Sequence, residues 1–170
     1  MKIKIKSYAI ALVGCLIAVF VDQFTKWLAI EHLKDQPSIS IIEGVFQLLY
    51  LENSGAAFGI MQGRQSILIV VTFIILALII LVYSKIPHTK KFYPMRICAV
   101  LLVAGAIGNL IDRIRWGFVV DFFYFYLIDF PIFNVADSYV VVACILFAIL
   151  VIFYYKDHEL EAFRFKNKKD

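Results

Sequence analysis

Three carboxylates lie within one aromatic and aliphatic segment, residues 117–139, and they are the strongest candidates for chemistry in the sequence. They are Asp121, Asp129 and Asp137. An ionised acid beside hydrocarbon is costly, so such acids are rare unless they are paired or used. Two carboxylates brought close together cannot both ionise cheaply, so they share one proton and titrate as a unit. One member can then take a proton from water while the other donates one, which is general acid–base hydrolysis.

We assign the pair to Asp121 and Asp137, because Asp129 precedes a Phe-Pro dipeptide and is typical of a turn. Simpler roles stay open at this point: Asp137 can cap a helix, and Asp121 can be a solvated loop acid. No histidine lies near Ser138 in the sequence, which disfavours a serine hydrolase. The acids are not accompanied by His or Cys ligands, so we expect neither a metal nor another cofactor.

Further polar side chains lie at the ends of long apolar runs. Asp22 and Lys26 are four residues apart in the order that favours a helical ion pair. This pair either faces the helix bundle or lies at the membrane interface with the lysine extended outward. Asn109 and Arg113 share a helix face, and an amide with a guanidinium at membrane depth indicates either a site or a purely structural polar network.

Two loop segments complete the candidate set. Asn53 and Gly55 lie among small residues, where backbone can approach a ligand closely, unless the segment is only a tight loop before a helix. Asn134 lies three residues before Asp137, at the entrance to the last apolar run.

The composition is that of a membrane protein. Of the 170 residues, 62% are hydrophobic and 18% are charged, and the mean hydropathy is +0.85, whereas soluble domains are about 45–50% apolar. The apolar runs predict an all-α polytopic membrane protein with one membrane domain, 1–170, and transmembrane helices at about 8–31, 65–84, 94–116 and 138–155. Cys15, Cys98 and Cys144 lie in these runs, and we expect them to pack as small hydrophobes without a disulfide.

Between the first two predicted helices the pattern changes. Pro37 ends the first helix, and patchy alternation over 38–51 predicts two or three short strands with Gly44 at a turn. An open sheet edge is not stable in lipid. We therefore expect a small extracytoplasmic β-sheet, or cradle, over about 36–62, on the membrane surface.

The basic residues predict the orientation in the membrane. Most of the 17 Lys and Arg residues lie at the two ends of the chain or between the second and third predicted helices. By the positive-inside rule both termini are cytoplasmic, and residues 117–139 lie near the outer face. This asymmetry accounts for the net charge of +4, so we expect no nucleic-acid partner.

Five sequence blocks occur in order from the first predicted helix to the start of the fourth. They are Asp22…Lys26, Asn53-x-Gly55-Ala56-Ala57-Phe58-Gly59, Gly108-Asn109-x-x-Asp112-Arg113, Val119-Val120-Asp121-Phe122 and Phe133-Asn134-x-Ala136-Asp137-Ser138. Together they resemble the blocks of the bacterial lipoprotein signal peptidases, the signal peptidase II family.

The resemblance implies an aspartic endopeptidase of the bacterial inner membrane. It would cleave the signal peptide from a diacylglyceryl-modified prolipoprotein, on the N-terminal side of the lipid-modified cysteine. Asp121 and Asp137 match the catalytic pair of the family. The residues that match its substrate-binding polar set are Asp22, Lys26, Asn53, Gly55, Asn109, Arg113 and Asn134.

The resemblance also implies partners: prolipoprotein signal peptides, membrane lipids, and peptide antibiotics as inhibitors. We expect a monomer. Two departures from the family pattern bear on substrate fit. The segment between Asp121 and Asp137 has no tryptophan, and residues 139–143, at the start of the last helix, have no glycine.

Two alternatives from other functional classes remain. A small proton-coupled transporter would place its ionisable residues near the middle of the membrane on broken helices, whereas here they gather at one end of the predicted bundle. A membrane scaffold that binds lipoproteins without catalysis would use the same polar set.

Overall fold

The computed structural model describes residues 2–55 and 63–160, and within them four long helices dominate. They are α1 (Lys2–Leu33), α2 (Gln65–Lys85), α3 (Tyr93–Trp116) and α4 (Val135–Ile149), which continues as a π-helical turn, Leu150–Tyr154. A short helix, α5 (Asp157–Leu160), follows, and single 3₁₀ turns lie at Lys90–Phe92 and Tyr126–Ile128. The strands are β1 (Ile39–Ile42), β2 (Phe46–Asn53) and β3 (Val119–Tyr124).

The predicted fold class is confirmed. Four helices in the described residues are long and apolar enough to cross a membrane, at Lys4–Leu33, Gln65–Lys85, Lys90–Trp116 and Val135–Tyr154. Their outward faces carry many exposed large apolar side chains, among them Phe20, Phe73 and Phe153. Such a surface is unfavourable in water and suits lipid.

The sheet is antiparallel, in the order β1-β2-β3. The β1–β2 turn contains Gly44, whose φ of +70° a residue with a side chain rarely adopts. The sequence pattern does not predict the third strand, because β3 comes from beyond α3 rather than from residues 36–62. Residues 56–62 of that predicted region lie outside the described part of the chain.

Helix α3 contacts all three other long helices, and small residues set its distance from α4. A Cβ atom added at Gly105 would lie 2.6 Å from the carbonyl oxygen of Ala136. One added at Gly108 would overlap the carboxylate of Asp22. Small residues let membrane helices approach this closely, and here the approach brings the start of α4 against α1 and α3.

This close contact gives a stability prediction. Gly105→Ala is expected to destabilise the protein by about 1–3 kcal/mol, because the new methyl group meets backbone that cannot rotate away. The measurement is thermal unfolding of the purified protein in detergent.

The matched control is Gly14→Ala in α1, where a Cβ atom would lie 3.8 Å from a methyl group of Val100, an ordinary van der Waals distance. Equal stability losses for the two variants would contradict the assignment of Gly105 to a steric role.

Candidate active site

A short antiparallel pairing brings β3 beside the start of α4. The backbone N–H of Phe123 donates to the carbonyl of Phe133 at 2.8 Å, and the N–H of Phe133 donates back to Phe123 at 3.0 Å. Asp121 lies two residues before Phe123, and Asp137 lies four residues after Phe133. The pairing therefore folds the intervening loop back on itself and brings the two acids near each other.

Asp121 lies inside the protein, with 1% of its surface exposed. In the β2–β3 ladder, Leu51 pairs with Asp121 and Asn53 pairs with Val119, so Asn53 and Asp121 share a face of the sheet as diagonal neighbours. The side-chain amide of Asn53 donates to Oδ2 of Asp121 at 2.8 Å. The amide of Asn134 donates to Oδ1 at 2.7 Å.

Asp137 occupies the first turn of α4, but it is not the N-cap, which was one of its open roles. Asn134 is the N-cap, and its side chain accepts from the backbone N–H of Asp137 at 3.0 Å. Oδ2 of Asp137 accepts from the backbone N–H of Asn134 at 3.2 Å, which completes a capping box. Oδ1 of Asp137 accepts from the amide of Asn109 at 2.8 Å.

Asn134 therefore bonds to both acids, and both border a single cavity of about 870 Å³. The predicted residues Asn53, Asn109 and Arg113 line the same cavity. Its other walls are mostly apolar and include residues of the loop before α4 and of α4 itself: Phe130, Pro131, Ile132, Phe133, Val140, Val141 and Val142. Asp129 does not line it and accepts from the hydroxyl of Tyr124.

The surroundings of Asp121 favour its neutral form. Burial raises its pKa, and the nearby charge of Asp137 raises it further, while the hydrogen bonds from Asn53 and Asn134 act in the opposite direction; the pKa is about 7. Asp121 therefore keeps a proton close to neutral pH while lying beside a second carboxylate.

Asp22 and Lys26 lie beneath this cavity rather than on its walls. Both face the bundle and are buried, at 0% and 2% exposure, so the lysine does not extend outward. The Lys26 ammonium lies 3.0 Å from Asp22 and 2.9 Å from Asp112, and it donates to Oδ1 of Asn109 at 2.9 Å. That bond turns the Asn109 amide toward Asp137.

The two carboxylates that are ion-paired with Lys26 also hold the backbone next to the acid pair. Oδ1 of Asp22 accepts from the N–H of Ala136 at 2.9 Å, one residue before Asp137. Oδ2 of Asp112 accepts from the N–H of Val120 at 3.2 Å, one residue before Asp121. The elements that carry the two acids are thus both tied to a single buried cation.

Two members of this network are not among the predicted site residues. Helical spacing places Asp112 partly away from the helix face that carries Asn109. An acid buried in a membrane helix nevertheless indicates a functional role. Gln23 donates to Oδ1 of Asp112 at 2.9 Å and to the carbonyl of Gly108 at 3.2 Å. No local pattern in the sequence predicts these two hydrogen bonds of Gln23.

Arg113 extends along the cavity wall. Its Nη2 donates to the carbonyl of Gly55 at 3.2 Å, and its Nε is buried without a hydrogen-bond partner among residues 2–55 and 63–160. The Arg113 side chain lines the cavity together with the two acids, and its guanidinium suits a carbonyl oxygen of a bound molecule.

Comparisons with known proteins agree on one family. The family model described as signal peptidase (SPase) II matches residues 14–153. The lipoprotein signal peptidase of Halothermothrix orenii is 39% identical over 85% of this chain and 94% of its own. That of Caldanaerobacter subterraneus is 44% identical over 84% of this chain and 96% of its own.

Solved structures agree with this similarity. One described as a bacterial membrane enzyme, determined by the in meso method at 2.3 Å, superposes with a TM-score of 0.74 and 30% identity. The overlap covers 95% of this chain and 94% of that chain.

The buried ion network gives a second stability prediction. Lys26→Met leaves Asp22 and Asp112 as buried charges without their cation, and breaking a buried pair in this way costs about 3–5 kcal/mol. We expect a correspondingly large loss of unfolding free energy in detergent.

Lys34→Met serves as the control, because Lys34 forms a solvent-exposed pair with Glu52 at 3.1 Å, which is worth about 0–1 kcal/mol. If Lys26→Met proves as mild as Lys34→Met, the central role of Lys26 is wrong.

Proposed function

The chain belongs to the signal peptidase II family, and from this premise we propose that it is an aspartic endopeptidase in which Asp121 and Asp137 activate water. Its function is that of a lipoprotein signal peptidase, which acts on prolipoprotein signal peptides. The observation that carries the aspartic mechanism is the cavity that both acids border, with Asn134 bonded to each.

The raised pKa of Asp121 supports a division of roles. Asp121 holds the proton near pH 7, and Asp137 acts as the base. Asp137 takes a proton from water as the water oxygen attacks the scissile carbonyl carbon, and Asp121 gives its proton to the carbonyl oxygen. The tetrahedral intermediate then breaks its C–N bond. The leaving nitrogen receives the proton from Asp137, and Asp121 recovers one from the intermediate.

The polar groups on the cavity wall fit the role of holding the substrate. The side chains of Arg113, Asn53 and Asn109 line the cavity that contains the acids. They suit peptide or ester carbonyl groups, and the apolar part of the wall suits a signal peptide and acyl chains. Within this proposal, Asn134, Asp22 and Lys26 position the acids, and Gly55 supplies a carbonyl that orients Arg113.

The cleavage position and the membrane in this proposal follow from the family, and the orientation follows from the distribution of Lys and Arg residues. We propose cleavage on the N-terminal side of a diacylglyceryl-modified cysteine, in the bacterial inner membrane, by a monomer. Both termini are cytoplasmic in this proposal, and the acid pair lies near the outer face. Peptide antibiotics that present a hydroxyl group between the acids are the expected inhibitors.

Removal of either acid tests the mechanism. Asp121→Asn and Asp137→Asn are each expected to lower cleavage of a lipid-modified prolipoprotein by at least about a hundredfold, since general acid or base catalysis is lost. The measurement is the accumulation of uncleaved prolipoprotein in purified and cellular assays.

Asp129→Asn is the matched control, because it makes the same change in the same segment outside the cavity. Its φ of +47° is one that asparagine also tolerates. Normal processing by Asp121→Asn or Asp137→Asn would exclude the aspartic mechanism. A variant that binds the precursor but does not cleave it is the expected result.

The pKa of Asp121 gives a pH prediction. A carboxyl whose pKa is raised to about 7 is protonated below that pH and loses its proton above it. The cleavage rate is therefore expected to fall by about tenfold per pH unit in the alkaline range, because Asp121 has then lost the proton that it donates.

Single-turnover rates between pH 6 and 9 provide the measurement, with thermal unfolding over the same range to separate titration from denaturation. A constant rate across this range in a folded protein would show that Asp121 is not the proton donor.

A further inference from the structure

A second cavity, of about 770 Å³, lies at the opposite end of the bundle from the acid pair. It is bordered by the early part of α1, the end of α2 and the first turns of α3. The site described above uses α1 at Asp22 and Lys26, whereas this cavity uses α1 from Lys6 to Gly14. The peptidase proposal assigns no role to it.

The lining of this cavity combines apolar walls with positive charge. Its interior is formed by side chains such as Ile10, Ile97, Val100 and Leu101, while Lys6 and Lys90 contribute cations. The residues that line it include no carboxylate. A cationic mouth above an apolar cleft between membrane helices complements a molecule with an anionic head and a hydrocarbon tail.

Arg96 is fixed at the base of this mouth. It is buried, donates to the hydroxyl of Ser7 at 2.9 Å and to the carbonyl of Ile86, and packs on the ring of Tyr83 at 4.8 Å. Its charge is therefore held in place by the protein. The Arg96 guanidinium therefore gives the cavity a positive electrostatic potential that does not depend on a bound ligand.

His88 supplies the observation that points to a ligand. Both of its ring nitrogens are buried, and neither has a hydrogen-bond partner in the described part of the chain, although the ring packs against Tyr8 at 5.6 Å. Burial lowers its pKa, and the charges of Arg96 and Lys4 lower it further. A neutral imidazole retains one N–H donor, and this donor is unused beside the cations of the cavity.

We propose that this cavity binds one anionic phospholipid. The phosphate group lies between Lys6, Lys90 and His88. An acyl chain follows the apolar cleft between α1 and α3, where Gly14 has no side chain that would occupy the space. A free phosphate ion would satisfy the mouth but would leave the apolar cleft unfilled. A neutral or zwitterionic lipid would fill the cleft but would gain less from the cations.

Native mass spectrometry of the full chain in detergent tests this proposal. The protein is titrated with dioleoyl phosphatidylglycerol, with dioleoyl phosphatidylcholine, and separately with inorganic phosphate. We expect one tightly bound phosphatidylglycerol. Lys6→Gln/Lys90→Gln is expected to weaken its binding by roughly 10- to 30-fold, since each basic side chain near an anionic headgroup contributes about a factor of five.

The matched control is Lys34→Gln/Lys156→Gln, which removes the same charge at positions that do not line the cavity. Both replaced lysines of the test variant are exposed, so folding should persist. His88→Phe, which keeps an aromatic ring against Tyr8 and removes the N–H, is a second test and should also weaken binding.

Each outcome decides the proposal. Equal retention of the two lipids, or equal weakening by the test and control variants, would overturn it. Binding of inorganic phosphate as tight as that of phosphatidylglycerol would overturn the lipid assignment. Since the measurement is binding, it is independent of the acid pair and of peptidase activity.

Discussion

One buried ammonium group supports the whole active end of the molecule. Lys26 is ion-paired with both Asp22 and Asp112 inside the protein, where a carboxylate without a cationic partner would be strongly unfavourable. The same two carboxylates accept backbone hydrogen bonds from the residues preceding Asp137 and Asp121. The interactions that offset the cost of burying these charges therefore also fix the position of the proposed catalytic pair.

The loop between the two acids is the second constraint. It pairs Phe123 with Phe133 through backbone hydrogen bonds, and aromatic contacts among Phe123, Phe125, Phe130 and Phe133 pack it together. Backbone pairing satisfies polar groups that would be costly near lipid. The aromatic character of this segment, conspicuous in the sequence, therefore has a structural role: it keeps the loop short and ordered between two acids that must stay close.

Periodicity and hydropathy predict the four helices, and the family resemblance supplies the candidate site residues. The sequence does not reveal β3, because a strand that pairs with β2 across more than sixty residues depends on tertiary contacts that no local pattern records. The sequence does not predict that Asp112 belongs to the buried network, for a similar reason. Its partner Lys26 lies on another helix, and the absence of a side chain at Gly108 leaves room for Asp22 of that helix beside α3. The family resemblance includes Asp22 and Lys26 in the substrate-binding set, whereas in the structure they are buried beneath the cavity and do not line it.

Under the proposed function, the division between these layers separates catalysis from substrate recognition. The acids are held by α1, α3 and the first turn of α4, through buried hydrogen bonds that leave little freedom. The opposite wall consists of apolar side chains of α4, including Val140 and Val141, and of the loop before it. The valines of α4 in this wall cannot form side-chain hydrogen bonds to the network, whereas the loop phenylalanines also pack the segment that joins the two acids. The two departures from the family pattern fall on this wall, so under the proposed function they change the fit of the substrate and not the acid pair.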